Sequence, residues 1–242
     1  MKSRIAVLVI SAFVLALGGL WLRVTVAGSD ELPPLHTRME IPTSQGRREC
    51  VIHVPVSCDG SRPAALVIML HGFGGTALNA ARETGWSEKA DREGFIIVYP
   101  EATRPDRTGP ANFRRNPQAW NDGSGRFHAA AEGVDDVAFI GALIDRIGES
   151  CRIDAGRIFV TGFSNGASMA FGGKDQGGAE KPAVQTFIDR GPCNVVFVTV
   201  EDLGHHWPGG ERQVAEFLVG RHNRKLKATD EIWNFFKLRQ KR

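Results

Sequence analysis

The chain has 242 residues, 42% of them hydrophobic, which suits one sizeable core and a single domain rather than a disordered or fibrous chain. Lysine and arginine number 30 against 27 acidic residues, but Lys2, Arg4 and Arg23 fall in residues 1–27, which hold no acid. Beyond that segment the charges balance, so composition gives no case for nucleic-acid binding and none is expected, and the basic clusters at residues 221–227 and 237–242 read as solvated surface.

Lys2 and Arg4 precede an apolar run over residues 5–22, and residues 24–27 offer small side chains where a signal peptidase would cut. Residues 1–27 are expected to be a signal peptide or, if uncleaved, an N-terminal anchor. The protein is thus expected to be secreted or periplasmic, and bound to a membrane only if that segment is retained. Residues 28–46 read as a linker and residues 47–242 as one domain.

Residues 51–57 alternate in polarity, with Ile52, Val54 and Val56 on one face, and Pro55 lacks a ladder donor, so they read as an edge strand. Cys50 and Cys58 bracket this run and would lie about 26 Å apart at strand rise, too far to pair. With Cys151 and Cys193 they give an exported chain the means for two disulfides. Residues 65–70 are continuously apolar, as a strand covered on both faces must be, and residues 94–100 and 157–162, with their Phe-Ile-Ile-Val and Ile-Phe-Val cores, look alike. Helices are expected between them, at residues 87–92 and 135–147. The second places Ile140, Leu143, Ile144 and Ile147 on one stripe, with Asp135 and Asp136 as N-cap and first turn and Gly148 as the stop. Alternating strands and helices imply an α/β fold, a doubly wound and mostly parallel sheet. Residues 101–133 form a long loop containing Trp120. Residues 182–189 read as helix, 194–200 as strand and 201–211 as loop. A final helix follows, capped by Thr229 and buried through Ile232, Phe235 and Phe236.

The chemistry concentrates in three places. "FVTGFSNGAS" (residues 159–168) is G-x-S-x-G at a strand-to-helix turn, where the glycines let the Ser164 hydroxyl stand proud of the sheet. "LHGFGG" (residues 70–75) follows the central strand, and the Phe73 N–H, with that of Asn165, would bind an oxyanion. His71 reads as a hydrogen-bonded structural histidine. "GHHWPGG" (residues 204–210) comes after the last strand, where a general base belongs, and His205 is preferred to His206. No spacing suits a metal, and no cofactor is expected.

Together with "TGWSEKADREGFIIVYPEA", "WNDG", "DDVAFIGALIDRI" and "ATDEIWNFF", these motifs resemble the secreted esterases related to feruloyl esterases and poly(3-hydroxybutyrate) depolymerases, which are α/β-hydrolases. The resemblance implies Ser164 as nucleophile, His205 as base, and Phe73 and Asn165 as the oxyanion hole. It also implies that Trp120 and Trp207 line an acyl or aryl pocket, with a small or polymeric ester as substrate. One departure stands out. Only 41 positions separate Ser164 from His205, where a strand-plus-helix repeat alone takes about 30 residues. A strand–helix unit carrying the catalytic acid is therefore expected to be missing, and Asp175, Glu180, Asp189 and Asp202 are weak substitutes. The expected function is an exported serine esterase; the alternatives are an impaired or inactive remnant, or a serine peptidase of the same fold.

Overall fold

The computed structural model describes residues 9–10, 31–171, 203–211, 216–222 and 226–238. Six strands form one mixed sheet: β1 (Val9–Ile10), β2 (His36–Thr43), β3 (Gly46–His53), β4 (Ala64–Leu70), β5 (Phe95–Pro100) and β6 (Ile153–Phe163). Their spatial order is β1-β6-β4-β5-β3-β2. β4 runs parallel to both β5 and β6, and β1 is parallel to β6, while β3 and β2 join antiparallel on the far side. The helices are α1 (Ala77–Glu83), α2 (Trp86–Glu93), α3 (His128–Ala131), α4 (Asp136–Ser150), α5 (Asn165–Phe171), α6 (Glu216–Val219) and α7 (Ala228–Lys237).

Side chains alternate across a strand, and β4 shows what each face meets. Ala65, Val67 and Met69 join a cluster with Ala80 of α1, Trp86 of α2 and Phe236 of α7. Leu66, Ile68 and Leu70 join another with Phe139, Leu143 and Ile147 of α4. Helices therefore cover both faces, and β4 and β5 are buried along their whole length. The expected α/β class is the observed one.

Several boundaries differ from expectation. Residues 36–46 are not linker but the strand β2 and a tight turn, closed by Gly46 at φ +106°. The outer strand is consequently β2. The strand at residues 46–53 sits between β2 and β5 and stops before Pro55, which cannot donate to a ladder. The Asp135 side chain does cap α4, accepting from the Ala138 N–H, but the helix runs past Gly148 to Ser150. Lys227, not Thr229, occupies the N-cap of α7, because the Thr229 hydroxyl bonds the Thr84 carbonyl and receives the Trp207 indole N–H. Cys50, Cys58 and Cys151 are free thiols, and burial pushes the Cys50 thiol up to about 12. The expected helix at residues 182–189, the strand at 194–200 and Cys193 lie outside the described residues. Among those described, no helix is long and apolar enough to cross a membrane.

Candidate active site

β6 ends at a sharp turn into α5, and Ser164 sits in that turn at φ +52°, a left-handed angle that side chains other than glycine's resist. The flanking glycines are required by close approach. A Cβ on Gly162 would lie 2.5 Å from the Gly166 carbonyl carbon, and one on Gly166 would strike the backbone of Leu70 and His71. The turn is therefore wedged against the end of β4. A Cβ on Gly72 would stand 3.4 Å from Ser164 Cβ, so the 71–75 segment passes directly beside the serine.

His71 holds that segment in place. Its ring is buried, and desolvation keeps it below its ordinary pKa despite the pull of Glu101. As the neutral ring it donates from Nδ1 to the Gly72 carbonyl at 2.8 Å and accepts the Ala102 N–H at Nε2, at 3.1 Å. Its own carbonyl accepts the Trp120 indole N–H at 2.8 Å. Gly74 N–H bonds the Gln118 carbonyl, and the Glu101 carboxylate accepts both Gln118 Nε2 and the Ala77 N–H.

Asn165 anchors the other side. Its N–H belongs to the first turn of α5, where backbone donors lack helical partners. Its amide accepts the Trp120 N–H at 2.8 Å and donates to Asp122 Oδ2 at 3.0 Å. Burial opposes ionisation of Asp122. Hydrogen bonds from Ser124, Asn165 and Arg126 outweigh it and hold the carboxyl below the usual carboxylate range. This amide–carboxylate contact is invisible to local sequence reading, since Asp122 and Asn165 lie 43 positions apart. The quoted "WNDG" is its only trace.

His205 reaches the elbow through Phe163, the residue before Ser164: the two rings lie 4.6 Å apart. His206 turns elsewhere and bonds the Gly220 carbonyl at 3.0 Å. The 203–211 loop is clamped between the end of α1 and the start of α7. Glu211 N–H bonds the Glu83 carbonyl, Ala228 N–H bonds the Pro208 carbonyl, and a Cβ on Gly210 would collide with the Glu83 carbonyl. Trp120 and Trp207 are both buried, at 0% and 2% exposure, with their indole N–H groups engaged. They brace the two loops of the site rather than facing solvent. Phe73 packs instead with Phe127 and Phe113, partners that no motif announced. Asp175, Glu180, Asp189 and Asp202 lie outside the described residues, as does the expected deletion. Among the described residues no cluster of three or more His, Cys, Asp or Glu could hold a metal ion.

The family model described as esterase PHB depolymerase matches residues 51–173, just over half of the chain and all of the turn geometry around Ser164. The chain belongs to this family. Among its relatives, feruloyl esterase B of Neurospora crassa is 32% identical over 105 residues, covering 43% of this chain and 32% of that protein. Poly(3-hydroxyalkanoate) depolymerase C of Paucimonas lemoignei is 28% identical over 127 residues, covering 52% and 28%. The match thus spans under a third of either relative's length. Among solved structures, an acetyl xylan esterase from Aspergillus awamori is 18% identical, with a TM-score of 0.41 over 56% of this chain and 47% of that one.

Proposed function

We propose that this member of the esterase PHB depolymerase family hydrolyses carboxylic esters through Ser164. One observation carries the reading. A serine, not a glycine, occupies a left-handed turn pressed against the 71–75 segment, with the His205 ring tilted against that of the preceding residue, 4.6 Å away. In the proposed reaction Ser164 Oγ attacks the ester carbonyl carbon while His205 accepts the hydroxyl proton. The N–H groups of Phe73 and Asn165 bind the oxyanion as the tetrahedral adduct forms. Collapse expels the alcohol, which takes its proton from His205, and water then repeats the sequence to release the acid. The substrate class we assign is aryl or hydroxycinnamoyl esters, or short hydroxyalkanoate polyesters, acted on outside the cytoplasm. Neither nucleic acid nor cofactor takes part. Trp120 and Trp207, buried and with both indole N–H groups engaged, hold the loops of the site in register.

A fluorophosphonate probe should label the purified protein at Ser164, with labelling abolished by Ser164→Ala and slowed by His205→Ala. Turnover of p-nitrophenyl acetate should exceed that of peptide amides. Labelling that persists in the alanine variant, or faster amide cleavage, would overturn the assignment.

A further inference from the structure

We propose that Phe113, backed by Phe73 and Phe127, is an aromatic shelf that stacks the planar ring of an aryl ester beside Ser164. The inference rests on the esterase reading for its location and goes beyond it in naming the residues that select substrate.

Phe73 lies between Gly72, on which a Cβ would stand 3.4 Å from Ser164 Cβ, and Gly74, on which a Cβ would strike the Phe113 ring, so the segment beside the serine leads directly to the aromatic cluster. That ring stacks on Phe127 at 5.0 Å and 22°, and meets Phe113 edge-on at 6.0 Å and 71°. Phe73 and Phe127 are half-buried against each other, which leaves Phe113, 64% exposed, as the face open to solvent. An exposed phenylalanine on a mobile tip would carry little information, but this one is fixed. Asn112 and Asn116 exchange both backbone hydrogen bonds at 3.0 Å, and the Asn112 side chain caps the N–H groups of Arg114 and Arg115. Gly74, at φ +70°, lets the Phe113 ring lie on the backbone of the 71–75 segment: a Cβ there would sit 2.8 Å from Phe113 Cε2.

The shelf is also tied to the elbow. The Arg126 guanidinium lies 5.4 Å from the Phe127 ring centre and bonds Asp122 Oδ2 at 3.0 Å, and Asp122 in turn bonds Asn165, the residue after Ser164. Aromatic rings favour a planar π partner over a saturated one of equal size, because offset stacking adds to area burial. Such a shelf therefore discriminates by planarity.

The test uses the full chain carrying Ser164→Ala, so that binding is read without turnover, and two probes: methyl cinnamate and its saturated analogue methyl 3-cyclohexylpropanoate. Calorimetry should show tighter binding of the cinnamate. Adding Phe113→Ala should weaken cinnamate binding about fivefold or more and the saturated ester by no more than about twofold, and Phe113→Trp should restore the preference. Equal weakening of both probes, no effect on either, or no cinnamate binding at millimolar concentration would overturn the shelf. Fluorophosphonate labelling of the wild-type serine reports separately on the esterase reading. A Phe113-dependent preference without labelling would leave an arene-binding site and remove the catalysis.

Discussion

Replacing Asp122 with asparagine should destabilise the protein at neutral pH and matter less in acid. Its carboxyl is held below the ordinary range in the fold, so the stability it contributes is present above about pH 4 and is lost as pH falls through the lower folded value. Urea midpoints for wild type and Asp122→Asn should differ at pH 7, and the gap should narrow as pH falls below about 4. Glu83 has the opposite sign. Burial alone pushes its carboxyl up to about 7 from an ordinary 4.5, so the folded state prefers the protonated form. Below 4.5 both states are protonated; between 4.5 and about 7 only the unfolded chain ionises, and stability falls. Glu83→Gln should therefore equal wild type at pH 4 and exceed it increasingly up to pH 8. A Glu83→Gln advantage that is constant across this range would show that burial does not set this carboxyl's titration.

At the level of elements, the loop after β5 depends on one buried ion pair. Arg48 of β3 bonds Asp136, at the start of α4, at 2.8 Å, and reaches the Glu101 carbonyl, with Phe139 under its guanidinium at 4.1 Å. Asp136 also accepts the Asn121 N–H, one residue from Trp120. Arg48→Ala strands a buried carboxylate and should cost about 3 kcal/mol or more, whereas the Arg48→Ala, Asp136→Ala pair should cost less than the sum of the singles. Strict additivity in denaturant unfolding would show that the pair is not coupled. Those elements differ in how legible they were. β4 and β5 announce themselves through unbroken apolar runs, and α4 through its stripe and acidic cap. β2 does not, because its apolar face is sparse: of its eight residues only Ile41 is buried. α1 hides in an alanine-rich stretch whose burial comes from the sheet above it. At the site, G-x-S-x-G marks Ser164 because the turn itself demands those glycines. The burial of Trp120 and Trp207 was not legible, because a tryptophan beside a motif looks the same whether it faces solvent or braces a loop.

For the molecule as a whole, the serine side of the sheet has the lighter support: among the described residues β6 meets β4 along its length and β1 at Gly162 and Phe163 only. Against that background the left-handed angle of Ser164 is a standing charge on global stability, about 1 kcal/mol for a residue with a side chain. Two equally inactive variants isolate it. Ser164→Ala keeps the strain and Ser164→Gly relieves it, so the glycine protein should unfold about 1 kcal/mol later than the alanine one, or roughly 2–4 °C higher in a thermal scan. Identical midpoints would show the turn to be relaxed. The difference has a meaning for the inactive-remnant alternative. A chain kept only as a scaffold would be steadier with glycine at this position, so each folded copy with serine there forgoes stability that a scaffold role gives no reason to lose.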